Sequence, residues 1–439
     1  MITAFASQPA LQALRPLAST HNQPRPGFAR PLPLLPVFGS DRLALTSLRA
    51  QDPDPNVIQN FTIERAKLDH VAPDLAQLPD FKVTPLRIGI ETDQMQARFS
   101  LRQATLYVEG PEGRVPLLDD ANGDFEAEAI PGGFALKHQG QSLGRHIGRL
   151  VVEHQAPTMV VNGQIFRGQL ELMPSPTNPA RFHVINPVMI EDYLLSVVPS
   201  ESPASWPLES LKAQAMAART YAVANWGKHK ANGFDMKDDT SDQMYRGVVT
   251  EAPGSSEAVK ATAHQIITHG GKPINALFFS CSGGMTDSSL EVWGVDLPYI
   301  QPAQDFDQAS PRYRWSATKS QQDLQQAAQK LGVSVGQIKE IQPLSFTPQG
   351  RVKTLRLVGN LGSADVDGNK FRFAAGLNST LWQAVPGGSG ANRQFTFNGG
   401  GWGHGLGMSQ YGARQMAADG QSAEAILKHF YQGVEFQSL

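Results

Sequence analysis

Cysteine is nearly absent: the 439 residues contain one, Cys281. A single cysteine excludes an intramolecular disulfide. No Cys/His spacing reads as a structural zinc site, so no metal and no other cofactor is expected. The simplest reading of Cys281 is a small, buried apolar side chain. Long apolar runs are missing too, and no stretch approaches the ~18 residues of a membrane-crossing helix. Charge is sparse. Charged residues make up 18% of the chain and the formal net charge is -2. Without clustered Lys and Arg there is no broad surface for nucleic-acid phosphates, and nucleic acid is not an expected partner. A secretory leader needs a basic start followed by ~7–15 uninterrupted apolar residues. Here the first positively charged side chain is Arg15, and the best apolar run, Pro31 to Phe38, is broken by prolines. No export signal is legible.

What the chain does have is glycine (41) and proline (31), with an ordinary 41% of hydrophobic residues. That balance predicts many turns and much β-structure. The length suggests two or three domains, each large enough to bury a core without staples. Residues 1–60 are rich in Pro, Gln, Ala and Ser without a sustained period, and read as a disordered or leader segment. Residues 61–175 read as a β-rich module. Its β-like runs include Leu86 to Ile90, Ala104 to Val108, Arg149 to Val152 and Gln169 to Leu172. Clusters such as Asp119-Asp120-Ala121-Asn122-Gly123 separate them, a spacing that predicts a sandwich or barrel-like arrangement of short strands.

Residues 176–439 read as a mixed α/β domain, making the whole chain α+β. Ile190 to Val198 has helical apolar spacing, interrupted between Pro199 and Pro203. A second helix is predicted from Pro207 to about Trp226, because Pro suits a first helical turn and Ala213 to Ala224 is rich in alanine. Further expectations are a helix over Ser255 to Ile266, a hairpin from Gln265 to Phe279 turning at His269-Gly270-Gly271, and a helix over Gln322 to Leu331. A strand over Arg351 to Val358 and a short amphipathic helix over Ser422 to Phe430 complete the pattern. There is no internal repeat.

Two segments concentrate side chains capable of chemistry. The first, Val198-Pro199-Ser200-Glu201-Ser202-Pro203-Ala204-Ser205-Trp206-Pro207, holds one carboxylate between two predicted helices with a tryptophan close by. Apolar shielding raises a carboxyl pKa and suits it to general-acid work, although a Glu at such a place is more often a cap or a surface residue. On the following helix Lys212 and Arg219 lie seven residues apart, on one face and ~10 Å apart along the axis, with Glu209 and Met216. That face is either a solvated charged surface or a cationic wall toward a carbohydrate or carboxylate-bearing substrate.

The second segment is Gly399-Gly400-Gly401-Trp402-Gly403-His404-Gly405-Leu406-Gly407-Met408-Ser409-Gln410-Tyr411-Gly412. So many glycines cost backbone entropy and suit a loop that approaches something closely. The Gly-Lys-Ser/Thr ending of a phosphate loop is missing. Its aromatic, amide and hydroxyl side chains fit sugars, which stack on rings and hydrogen-bond at their edges.

These strings resemble the SpoIID/LytB domain family. Glu191-Asp192-Tyr193-Leu194 through Glu201, and then Ser205 through Lys212-Ala213-Gln214-Ala215 to Ala218-Arg219-Thr220-Tyr221-Ala222, are similar to its signature. Gln243-Met244-Tyr245-Arg246-Gly247 is similar to its Gln-x-Tyr-x-Gly. Ser282-Gly283-Gly284, then Val292-Trp293-Gly294 and Leu297-Pro298-Tyr299, follow in the family's order, and Gly401 to Ala413 resembles its C-terminal hallmark. The resemblance covers roughly residues 165–437.

It implies a peptidoglycan lytic transglycosylase in the cell envelope, on the periplasmic or extracytoplasmic side. Such an enzyme cleaves the bond between N-acetylmuramic acid and N-acetylglucosamine and leaves a 1,6-anhydro end. Glu201 matches the family's catalytic acid/base, and Lys212 and Arg219 match cationic residues on its site-lining helix. The matching positions Gln243, Tyr245, Ser282, Trp402, His404, Ser409, Gln410 and Tyr411 are the expected substrate contacts, in a single cleft where Glu201 meets the Gly-rich loop. One carboxylate suffices for this chemistry, because the sugar's own 6-hydroxyl is the nucleophile. The chain departs from the family at Phe279, where members often carry His. Some members bind zinc with His and Cys in that region, and with Cys281 alone no zinc is expected here.

The same resemblance supports a rival. A non-catalytic, peptidoglycan-binding enhancer would have a cell-wall amidase as its partner and would tolerate Glu201→Gln. A third reading, a hydrolase pairing Glu201 with a distant carboxylate such as Asp242, needs reducing-end products without an anhydro ring.

Overall fold

The computed structural model describes residues 71–439, so the expected leader at 1–60 lies outside the described residues. The architecture is α+β. Its largest sheet takes β1 (Leu86–Gln94), β2 (Gln96–Gly110), β3 (Gly113–Ile130), β4 (Gly133–His138), β5 (Gln141–Ile147), β6 (Arg149–His154), β7 (Met159–Val161), β8 (Gln164–Phe166), β9 (Leu170–Pro174), β10 (Phe182–Val188) and β11 (Met236–Lys237). Its main path runs β11-β1-β10-β9-β6-β2-β3-β4-β5, and β7 joins β2 and β8 off this path. The path has two open ends, so of the sandwich or barrel-like arrangement expected of this region the closed barrel is not formed.

The strands are also longer than expected. β2 and β3 span 15 and 18 residues, and the predicted turn Asp119 to Gly123 lies inside β3. The turn chemistry is spent on a bulge instead. Gln103 and Asp120 take positive φ (51° and 46°), and the register shifts on both sides of Ala104. The Asn122 side chain accepts from the Gln103 amide at 2.9 Å and donates to the Asp120 carbonyl at 2.8 Å. Asx hydrogen bonding thus satisfies the backbone where the ladder is broken, and the ribbon bends without ending.

β10 is buried along its whole length between β9 and β1 and leads directly into helix α1 (Ile190–Glu201). The boundary expected near residue 175 therefore falls inside one continuous sheet. α1 runs three residues past the expected stop, through Pro199. The Ser200 hydroxyl donates to the Ser196 carbonyl at 2.7 Å, and the Ser202 amide closes the last turn on the Val198 carbonyl at 2.9 Å. Helix α2 (Leu208–Ala224) starts after Pro207, which occupies the N-cap position, and is buried on nearly every side. It carries the alanines because neighbouring elements approach it closely all round.

The remaining helices are α3 (Pro253–Ala261), α4 (Ser289–Trp293), α5 (Gln321–Lys330), α6 (Gly368–Ala375), α7 (Gln410–Ala418) and α8 (Ala423–Phe430). α3 is shorter than predicted because Gln265–His269 leaves it to pair with the C-terminal strand Glu435–Ser438. The expected hairpin turns at Gly270-Gly271, both at positive φ, but its return strand is only Lys272–Pro273.

One hydrophobic core runs from Phe81 to Val434 and joins the large sheet to α1, α2 and α8. A second core, from Trp315 to Phe397, holds α5, α6 and two three-stranded sheets. α5 begins with a capping box between Ser320 and Asp323. The sequence shows these elements singly but not that they enclose a core of their own.

Candidate active site at the end of helix α1

Glu201 is the last residue of α1 and half-buried. One carboxylate oxygen accepts the backbone N–H of Met244 at 3.0 Å. Its backbone carbonyl accepts the side-chain amide of Gln410 at 3.0 Å. Gln410, the first residue of α7, also lies 3.5 Å from the Gln214 amide oxygen on α2, which in turn accepts the Ser202 hydroxyl at 3.3 Å. Three helices are knitted together at the carboxylate.

Tyr411, next to Gln410 in sequence, belongs to an aromatic wall. Trp206 and Tyr411 meet edge to face with ring centroids 5.0 Å apart, and the Arg414 guanidinium lies 5.7 Å from the Trp206 ring. Ser205, Trp206, Pro207, Arg414, Gln415 and Ala418 line a groove of about 470 Å³. Arg414 follows Tyr411 by three residues, so one helical face carries both. The sequence reading did not single out Arg414, although that spacing was visible.

The Gly-rich segment holds this face in place. Ser409 caps α7 by accepting the Gly412 amide at 3.2 Å, and the Tyr411 amide donates to the Ser280 carbonyl at 3.1 Å. Gly405 has φ +86°, and a Cβ there would fall 2.6 Å from the buried Arg351 guanidinium. Close packing, not mobility, explains this glycine. His404 is buried between Phe279 (5.2 Å) and Trp293 (5.1 Å), and its Nδ1 accepts the Leu406 amide at 3.0 Å. Phe279 thus packs as an apolar wall for His404. Trp402 alone of the loop's expected contacts stands well out in solvent, 49% exposed.

Several expected contacts face elsewhere. Arg219 does not share an open face with Lys212, because it is fully buried. Its guanidinium grips Glu191 through two bonds of 2.9 and 2.7 Å and donates to the Gln265 and Val259 carbonyls at 3.2 and 3.3 Å. A buried guanidinium needs that many acceptors, and only the α1–α3 side of the helix supplies them. Lys212 is partly exposed but bound to Glu209 at 2.7 Å. Glu209 also accepts the Ala423 amide, and these contacts hold its carboxyl below the usual range, the Lys212 hydrogen bond first.

Gln243 and Tyr245 flank Met244 yet point into the core, where Gln243 accepts the Tyr193 hydroxyl and Tyr245 donates to Asn186. The Met244 backbone, which no side-chain pattern reveals, is what touches Glu201. Ser282 is buried and donates to Asp305 at 2.6 Å. Burial, and then the neighbouring Asp307, push Asp305 up to about 7.

Asp242 is completely occupied. It accepts Lys228 at 2.6 Å, His229 at 2.9 Å, the Lys237 amide at 2.9 Å and the Tyr221 hydroxyl at 3.3 Å. Burial opposes its charge, but the His229 hydrogen bond and the Lys228 ammonium outweigh burial and hold it well below the usual carboxylate range.

The arrangement is a half-buried carboxylate at a helix end, tied through Gln410 to the helix that carries an aromatic groove with a cation, on a mixed α+β scaffold. The family model described as "Stage II sporulation protein" matches residues 178–269, which contain Glu201 and helices α1 to α3. A second model, a domain of unknown function (DUF8618), matches residues 297–407 and takes in the whole second core. The chain is 35% identical to stage II sporulation protein D of Bacillus amyloliquefaciens over 270 residues, covering 58% of this chain and 75% of that protein. It is 32% identical to stage II sporulation protein D of Bacillus subtilis, over 56% of this chain and 74% of the relative. It is also 31% identical to the amidase enhancer of Bacillus subtilis, of which it covers 40%. The chain belongs to the SpoIID family.

Proposed function

We propose that this protein is a peptidoglycan lytic transglycosylase of the cell envelope, acting outside the cytoplasmic membrane in wall remodelling or a sporulation-like process. Family membership supports the cell-wall role. Among the described residues no helix is long and apolar enough to cross a membrane.

The observation that supports the chemistry is the way Glu201 is held at the end of α1, its carboxylate by the Met244 amide and its carbonyl by Gln410. Gln410, which holds the Glu201 carbonyl, is followed by Tyr411 of the Trp206–Tyr411 pair, while the distant Asp242 is fully spent on Lys228 and His229. A paired-carboxylate hydrolysis has no partner in Asp242. A transglycosylase needs none. The Glu201 carboxyl gives its proton to the glycosidic oxygen as the bond to C1 breaks. The resulting carboxylate takes the proton of the sugar's 6-hydroxyl as that oxygen closes on C1, so no water is consumed. Gln410 fixes the end of α1, and the Met244 amide orients the carboxylate. Lys212, Trp402 and Tyr411 complete the expected substrate contacts of this reading.

A second reading, a peptidoglycan-binding enhancer with a cell-wall amidase as partner, is favoured by the match to the amidase enhancer. Mass spectrometry of glycan strands after incubation with the wild type and with Glu201→Gln separates the two. Anhydro-muramic ends formed only by the wild type are the expected result. Strands bound by the wild type but cut by neither protein would overturn the enzyme reading in favour of the enhancer.

A further inference from the structure

A second cation–aromatic cluster lies further along the Gly-rich segment. The Arg312 guanidinium stands 5.5 Å from the Trp402 ring, and that of Arg314 lies 4.0 Å from the ring of Tyr313. The backbone builds this cluster. The Gly401 amide donates to the Arg312 carbonyl at 2.9 Å, and Arg314 donates to the Gly283 carbonyl at 2.9 Å. Both arginines and Trp402 are exposed. Among the described residues neither arginine forms an ion pair, in a protein whose net charge is slightly negative. The Arg314 guanidinium also donates to the Tyr313 carbonyl at 2.8 Å and to the Tyr313 hydroxyl at 3.4 Å, which fixes it in place; its remaining N–H groups and the guanidinium of Arg312 are left to meet a carboxylate.

The cluster is tied to the Glu201 groove through two consecutive residues. The Tyr411 amide bonds the Ser280 carbonyl, while Trp402 and Cys281 exchange backbone bonds of 2.7 and 3.2 Å. Adjacent Cα atoms are ~3.8 Å apart and paired strands ~4.8 Å apart, which puts the Tyr411 and Trp402 backbones roughly 10–15 Å from one another. An arginine beside an aromatic ring therefore occurs at both places: Arg414 with Trp206, whose ring packs on Tyr411, then Arg312 with Trp402 and Arg314 with Tyr313.

We infer that Arg312, Tyr313, Arg314 and Trp402 form a distal subsite for a glycan strand bearing a carboxylate on alternate sugars. The inference rests on the peptidoglycan reading and extends it. Ring faces hold sugar faces at both ends of the wall, and the arginines select the acidic sugar. Substrate grip then grows with strand length, because a long strand reaches both clusters and a disaccharide only one.

The test uses the Glu201→Gln protein, which leaves strands whole. Binding is measured for long glycan strands freed of stem peptides, for disaccharides, and for uncharged N-acetylglucosamine oligomers of matched length. Adding Arg312→Ala and Arg314→Ala is expected to weaken the carboxylated strands about tenfold and to leave the disaccharide and the uncharged oligomers within about twofold. Arg312→Gln alone, at an exposed position, gives a smaller loss in the same direction if the double change disturbs folding. Unchanged binding of carboxylated strands, or an equal loss for uncharged oligomers, overturns the subsite. So does an arginine dependence seen only with a glycerol-phosphate polymer. If the Glu201→Gln parent binds no glycan at all, the peptidoglycan reading falls together with the subsite; if it binds strands without regard to the arginines, only the subsite falls.

Discussion

The side-chain amide of Gln410 donates to the backbone carbonyl of Glu201 at 3.0 Å, joining residues 209 positions apart. A carbonyl at the last turn of a helix has no partner within the helix, so this bond satisfies an orphan acceptor and anchors the residue that carries the carboxylate. Gln410→Ala is expected to lower turnover about 10- to 100-fold with little change in KM, because it lets the carboxylate drift. Its stability cost is about 1 kcal/mol, the usual worth of one such bond. Steady-state kinetics on defined strands beside a denaturant titration checks this. Unaltered turnover would show that Gln410 does not position Glu201.

Trp206 lines the groove and Tyr411 packs against its ring. Trp206→Ala removes a partly exposed ring, so the fold should tolerate it, while KM rises about tenfold from the lost stacking surface. Trp206→Phe keeps a face and should recover most of that loss. A Phe variant as weak as the Ala variant would argue that the indole is needed for something besides stacking.

Arg219 belongs to the scaffold. Arg219→Met leaves Glu191 without its two guanidinium bonds and should destabilise the protein by about 3 kcal/mol. Adding Glu191→Gln should recover part of that, because the stranded charge is then gone. Calorimetry reads both effects. Any soluble Arg219→Met protein should retain the wild-type KM, since the guanidinium does not reach the groove. A raised KM in a fully folded variant would return Arg219 to the binding surface.

Asp305 sets a pH dependence of stability. Its carboxyl is pushed up to about 7 by burial and then by Asp307, against about 4 in an unfolded chain. With the folded value above the unfolded one, the unfolded chain gives up its proton first as pH rises. The contribution of Asp305 to stability is then fullest below about pH 4 and declines between about pH 4 and 7. Asp305→Asn should flatten this decline, with a gain relative to wild type that is larger at pH 7.5 than at pH 4. Denaturant midpoints across that range test it, and parallel wild-type and variant curves would exclude Asp305 as the cause.

The legible parts of the protein were those encoded over short distances. Alternating apolar residues announced β1 and β6, the alanine run announced α2, and Ser422 with the amphipathic stretch behind it announced α8. The segment around Glu201 and the string from Gly401 to Gly412 stood out by composition alone. Misreadings arose where a local signal had two outlets. Asp119 to Gly123 carries turn chemistry, and a turn and a bulge use the same Asx hydrogen bonds. Pro199 looked like a helix stop, yet the helix carries it to Glu201.

By itself the sequence determined which residues prefer helix, strand or close turn, because propensity, periodicity and capping act over a few positions. Only the tertiary structure decided which side chains face one another. Lys212 and Arg219 share a helical face by spacing, but Arg219 turns inward because Glu191 and two carbonyls lie there to receive it. Asp242 is withdrawn from chemistry because Lys228, His229, the Lys237 amide and Tyr221 close around it. Glu201 meets Gln410, and Trp206 meets Tyr411, because burial of one common core brings distant segments together, and that pairing is written in no local stretch of the chain.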